Sequence, residues 1–399
     1  MSTLKTNKIS GVVLTTTEAP FDVQIGPNSL PRAFTINFTV DSTGALPDSA
    51  GAGGTAEVGH WFYDSTGDST NDVLKFYVND SIGWVNLGLT DSSGAVSTPP
   101  SWMGDRAGFQ SAVNPAVSGW HNNVDYLSID TLGNATDLGN DYGNRRNCSG
   151  TSNGSRGLVF GGNHSSYYQL ITYHTIAVPG DYTDFGSMNA PGQLAGGALG
   201  DGTYAVATCT RSTSHNQIDY VTVATTGNAT DFGDLTVPGT QSAAANDATR
   251  GLFMGRYYGS TQQSVMDYIT IATPGNAIDF GDLATPRTRT AFGIGDETYG
   301  IYAGGYNGSS REQGIDYVTI QTTGNMTNFG NLTVGKSDGG SANSPTNGGT
   351  GRGLFAGGYS TTYVQAIDYI TTASTGNAGD FGDLSAPMSS IAGFAGSSS

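Results

Sequence analysis

Hydrophobic and polar positions alternate along this chain in short runs, and no stretch keeps apolar residues at the i, i+3, i+4, i+7 spacing of an amphipathic helix. The clearest run is Ile218-Asp219-Tyr220-Val221-Thr222-Val223, followed by a Gly-Asn turn and then Asp231-Phe232-Gly233-Asp234-Leu235. The same phrase returns from Met266 to Leu283, from Ile315 to Leu332 and from Ile367 to Leu384, with worn copies beginning at Val124 and Ile171. The Asp of the Asp-Tyr pair marks the copies at positions 125, 172, 219, 267, 316 and 368, with Thr172 replacing it in the second. The steps are 47, 47, 48, 49 and 52 residues, and the Gly of the Phe-Gly pair always follows the marker by 14. A period of roughly 40–50 residues made of short strands predicts one four-stranded β-propeller blade per repeat. The expected fold is all-β, a six-bladed β-propeller over residues 102–399.

Within each repeat four strands are expected. The first follows the Phe-Gly-Asp-Leu phrase, as in Gln241–Asn246, where small side chains suit the crowded axis. The second is the Arg-Gly-Leu-Phe segment of Arg250–Gly255, Arg352–Gly358 and Arg156–Gly162. The third is the β-branched Ile-Asp-Tyr-Val-Thr-Ile strand, and a Gly-Asn turn leads to a short outer fourth strand carrying Asp-Phe-Gly. The last repeat ends with a first strand that has no blade to follow, while the first repeat opens at a second strand, Arg106-Ala107-Gly108-Phe109. Residues 388–395 are therefore expected to supply the inner strand of blade one and close the ring, removing its exposed edges.

Residues 1–100 lie outside the repeats. Glu57–Asp64, Val73–Val78 and Trp84–Leu87 alternate with period two and predict a small β-meander. The expected organisation is a β domain with an extended arm over residues 1–90, a linker over 91–101 and the propeller over 102–399.

Composition sharpens this picture. Sixty glycines and only 12% charged residues suit strands and tight turns. The formal charge of −17 argues against binding nucleic acid, and so acidic a chain suits a saline setting. Cys148 and Cys209 fall at non-equivalent places in different blades, so no disulfide is expected. The N-terminus lacks an apolar signal core and no run approaches about 18 apolar residues, so neither Sec secretion nor membrane insertion is expected.

Little in the sequence suggests catalysis. The recurring Asp-Tyr pairs, Thr-Tyr in the second copy, are read as a repeated structural solution, and the Asp-Phe-Gly-Asp segments as capped turns rather than Ca²⁺ ligands. His60, His121, His164, His174 and His215 show no metal-ligand spacing, and no Gly-x-Ser-x-Gly elbow comes with a triad. Asp-Phe-Gly also occurs in kinases, but their Gly-rich loop, strand lysine and catalytic-loop Asp are missing. No enzymatic activity, cofactor or metal is expected.

The diglycines Gly161-Gly162, Gly304-Gly305 and Gly357-Gly358, two of them followed by Tyr, resemble those of kelch-type propellers, although the later Trp of a kelch repeat is missing. The opening Met1-Ser2-Thr3-Leu4-Lys5-Thr6-Asn7-Lys8-Ile9 resembles that of virion proteins from marine tailed bacteriophages. So does the segment from Trp61-Phe62-Tyr63-Asp64 through Asn71–Tyr77 to Trp84-Val85, and the Thr-Gly-Asn-Ala…Asp-Phe-Gly-Asp-Leu repeat is similar to repeats in such proteins. This resemblance implies a virion structural protein of the tail-fibre or appendage type, assembled in the host cytoplasm. It also implies a homo-oligomer that contacts other virion proteins through residues 1–90. The alternative it leaves open is a neck, nozzle or decoration subunit.

Recognition is expected where the copies differ. The loops joining strands two and three carry Trp120 and His121, Tyr167 and Tyr168, His215, Tyr257 and Tyr258, Tyr306 and Arg311, and Tyr359 and Tyr363. The turns at the other end are nearly uniform Gly-Asn. A regular frame with one variable, Tyr-rich face is suited to a host surface glycan or receptor, because rings stack on sugars and amides bond them.

Overall fold

A computed structural model describes residues 102–110, 122–141, 144–163, 168–189, 196–208, 215–289, 292–345 and 351–398 in full, and the backbone of seven short strands before them. The chain divides into two units, Met1–Thr98 and Pro99–Ser399. In the first, Trp61–Asp64, Val73–Asn79 and Gly83–Leu87 form an antiparallel three-stranded sheet. Thr3–Leu4 pairs in parallel with Asp22–Val23, and Val12–Leu14 with Ile36–Phe38.

The second unit is a six-bladed β-propeller of four-stranded antiparallel sheets. Blade four shows the plan, with strands Ala243–Asn246, Arg250–Tyr258, Thr261–Thr270 and Ile278–Asp282 running outward from the axis. Blade one takes its inner strand from the C-terminus: Ala392–Gly396 pairs antiparallel with Arg106–Gln110, from Ala392 opposite Gln110 to Gly396 opposite Arg106. Residues 388–391, expected in that strand, belong instead to the linker entering it. Ser398 then donates its backbone N–H to Asp105, fastening the chain end beside the start of the ring.

The repeated phrase turns out to be a set of latches between neighbouring blades. The Gly of Phe-Gly lies against the next blade's Gly-Asn turn: a side chain on Gly281 (φ +145°) would come within 2.3 Å of the Gly324 carbonyl oxygen. That turn's Asn accepts from the outer strand it meets, as Asn276 does from the Asp234 N–H at 3.1 Å and Asn134 from the Asp383 N–H at 3.0 Å across the closure. The Arg of Arg-Gly-Leu-Phe lies over the Tyr of Asp-Tyr in its own blade, Arg250 at 4.4 Å from the Tyr268 ring centroid. From there it donates to a carbonyl of the following blade: Arg250 to Ile320, Arg352 to Ile129. Where Tyr204 and Tyr299 replace this Arg, they pack edge-on against Tyr220 and Tyr317 instead. The apolar residues between these contacts are buried, Leu252, Phe253, Met254 and Met266 in blade four among them.

Candidate functional site: the variable face of the propeller

The face that carries the two-to-three loops is built by pairing each loop with the linker entering its own blade. Single bridges join Arg146 to Asn163, Thr240 to Tyr257, Thr288 to Tyr306 and Ser337 to Tyr359. Just past these four bridges, and at the matching place in the linker into blade one, the chain passes through a left-handed residue that is not glycine: Asn147, Gln241, Arg289, Asp338 and Ser390, with φ between 56° and 65°. Three of these residues hydrogen-bond in series, Asp338 N–H to the Arg289 carbonyl at 2.7 Å and Ser390 N–H to the Asp338 carbonyl. Asn, Asp and Ser tolerate this conformation because their side chains bond locally; an arginine there is unusual and places a long cation beside the axial mouth.

Beneath the face lies a layer of buried charge that the sequence reading missed. Four ion pairs are buried among the described residues: Arg145–Asp141, Arg256–Asp267, Arg287–Asp316 and Lys336–Asp368. The last three use the repeated Asp, whose second task is to accept from the preceding linker. Asp267 accepts from Thr236, Asp368 from Thr333 and Asp125 from Ser385, each through both N–H and hydroxyl. Burial holds the Asp125 and Asp316 carboxyls above the usual carboxylate range and the Lys336 ammonium below its ordinary value.

Two substitutions inside this layer compensate each other. In blade four the linker carries Gly239 where the linkers into blades five and six carry Arg287 and Lys336. Arg256 supplies the cation from the strand instead, and a side chain on Gly239 would come within 2.9 Å of it. In blade two Thr172 stands in for the repeated Asp, and Asp141, placed where the other copies have Leu or Met, accepts from its hydroxyl at 2.8 Å. In each blade the charge pair survives although one of its two residues has moved, the cation in blade four and the carboxylate in blade two.

Arg256 also reshapes its blade. Blades two, five and six break the hairpin after strand two with two left-handed glycines, such as Gly304 (φ +63°) and Gly305 (φ +97°). Blade four keeps only Gly255, so the chain stays extended through Tyr258 and returns through a two-residue turn, Gly259-Ser260, with both φ values positive as in a type I′ hairpin. The stretch Arg256-Tyr257-Tyr258, expected as loop, is therefore strand, and Arg256 lies wholly inside rather than on the face.

The candidate residues divide into a cluster and scattered members. Tyr257 and Tyr306 line one cleft of about 330 Å³ between blades four and five, together with Gln241, Ser260, Gln262, Arg289 and Gly308. Arg311 lies 5.6 Å from the Tyr306 ring centroid and 4.3 Å from that of Tyr359, which packs edge-on against Tyr363 at 5.2 Å. The Tyr306 hydroxyl donates to the Gly308 carbonyl at 2.8 Å, fixing the ring. Tyr258 is exposed at the hairpin tip. Tyr168 and His215 are half-buried in blades two and three and do not line this cleft. Trp120, His121 and Tyr167 lie outside the described residues. Arg289, Gln241 and Gln262 were not singled out from the sequence; aligning the sixth residue after each Leu of Phe-Gly-Asp-Leu would have exposed Arg289 as the odd member.

Chemically the face offers aromatic rings, amides and guanidiniums. Among the described residues no group of three or more His, Cys, Asp or Glu comes together to hold a metal. His174 is stacked on Tyr182 at 5.2 Å and burial pushes its imidazole down to about 4, while burial pushes the Cys148 thiol up to about 12; each is inert packing at neutral pH. Neither a protein-family model nor a curated protein matches the chain.

Proposed function

We propose that this chain is a non-enzymatic virion structural protein of the tail-fibre or appendage type, whose variable propeller face binds a glycan or receptor on the host surface. The observation that carries the recognition role is the contrast between the two faces. One repeats its Gly-Asn latch six-fold, with Asp181 replacing Asn in the second copy; the other gathers Tyr257, Tyr306, Arg311, Tyr359 and Tyr363 beside a polar cleft. Aromatic and amide side chains on a rigid frame are the usual means of holding sugars and polar epitopes. The virion assignment rests on the resemblance of the N-terminal segments and of the repeat.

The test is adhesion of the purified full chain to susceptible bacterial cells, with Tyr306→Ala and Arg311→Ala compared with wild type. Wild type is expected to adhere, with each substitution weakening adhesion at least tenfold at an unchanged melting temperature. If wild type does not adhere and antibodies to the face cannot reach it in the intact particle, the propeller serves assembly instead.

A further inference from the structure

We infer that the cleft between blades four and five selects an acidic saccharide, with Arg289 meeting its carboxylate and Tyr257 its ring. This rests on the recognition role proposed above and adds the chemical class of the ligand. The cleft, at about 330 Å³, stands at the lower end of ligand pockets, which run from about 300 to 1,000 Å³. Its polar side chains, Gln241, Ser260 and Gln262, can both donate to and accept from hydroxyl groups. Tyr257 is half-buried in the cleft wall and offers a ring for stacking. A neutral sugar would need nothing more.

Charge is what separates the two classes. The chain carries a net −17, which repels anions at long range, yet Arg146, Arg289 and Arg311 gather within electrostatic reach of the Asp338 carboxyl at this mouth. The other nearby carboxylate, Glu312, is turned into its own loop, where it accepts from Asn307 and from Ser310 at 3.1 Å. Arg289 is exposed and in the left-handed conformation, at a position where the other four described linkers carry Asn, Gln, Asp or Ser. A guanidinium presents a planar fork that matches a carboxylate with two hydrogen bonds, an advantage a hydroxyl cannot use.

The site is also held in place before any ligand arrives. Arg289 and Arg311 both lie near the Tyr306 ring, at 5.4 and 5.6 Å from its centroid, and that ring is fixed by its bond to Gly308. Gly308 in turn closes on Gln262, where an added side chain would approach Oε1 to 3.0 Å. Thr288 donates to Gln241 Oε1 at 3.5 Å and orients its amide. A prearranged fork costs little ordering entropy on binding.

The experiment titrates the full chain calorimetrically with trigalacturonic acid and with neutral maltotriose. Trigalacturonic acid is expected to bind at least tenfold more tightly than maltotriose, and more weakly as salt is raised. Arg289→Gln should abolish that preference, Arg289→Lys should keep part of it, and Tyr257→Ala should weaken both sugars, all with unchanged melting temperatures. Equal binding of the two sugars, or acid binding indifferent to Arg289→Gln, overturns the inference. Failure to bind either sugar by a chain that still adheres to host cells overturns it too and leaves the recognition role standing. Failure of adhesion as well overturns both.

Discussion

Lys336 Nζ lies 3.6 Å from the Asp368 carboxylate and donates to the carbonyls of Phe355 and Ala366, all of them inside the fold. An ammonium removed from water needs those partners, and burial lowers its proton affinity even so. Lys336→Met leaves the Asp368 charge buried without its cation and is expected to cost about 3–5 kcal/mol in denaturant unfolding. Lys336→Met combined with Asp368→Asn should lose much less; equal losses for the two variants would show that the ion pair is not what the site needs. His174 supplies the pH dependence. Its imidazole is held near 4 by burial, against an ordinary 6.5, so the unfolded chain binds the extra proton first. Stability from this residue is complete above pH 6.5 and is lost as pH falls towards 4. Melting curves across that window should fall more steeply for wild type than for His174→Phe, and parallel curves would count against the assignment.

At the scale of strands and turns, the inner strand of blade one depends on the far end of the chain. Ala392–Gly396 completes that sheet, and Gly393 lies so close to the neighbouring inner strand that a side chain there would approach Ser341 O to 2.3 Å. Deleting residues 386–399 removes this strand and leaves the inner edge of Arg106–Gln110 unpaired. Loss of cooperative unfolding is the expected outcome; a truncated chain with an unchanged melting temperature would refute closure as the source of stability. The latches follow the same logic, because the Gly and Asn of each turn are used by the neighbouring blade. That explains why Gly-Asn recurs so strictly although many residue pairs can close a hairpin.

For the whole molecule, charge is distributed unevenly: acidic overall, with its described ion pairs buried and a group of arginines at one mouth. Salt screens repulsion among exposed carboxylates but reaches buried pairs weakly. The melting temperature is therefore expected to rise between about 10 mM and 0.5 M NaCl, as calorimetry would measure, and a falling curve would mean that exposed ion pairs matter more. Opposed faces make such a ring suitable for presenting one surface outward. Neighbour-to-neighbour latches keep that frame regular while the variable loops change.

The number of blades, their strands and the closure from the C-terminus were legible in the sequence because they rest on period and alternation, which every copy restates. The variable face, for which the recognition role is proposed, was legible too as the place where copies disagree. The cleft was not. Gln241, Tyr257, Arg289 and Tyr306 come from two linkers and two hairpins, and only the packing of blade four beside blade five brings them together. Nor could sequence alone place Arg256, which reads like its exposed neighbours until Gly239 is seen to leave the space it fills. Periodicity determines a frame because each repeat faces the same packing problem. Tertiary structure decides the site, because a cleft and a buried charge depend on what the neighbouring blade puts opposite.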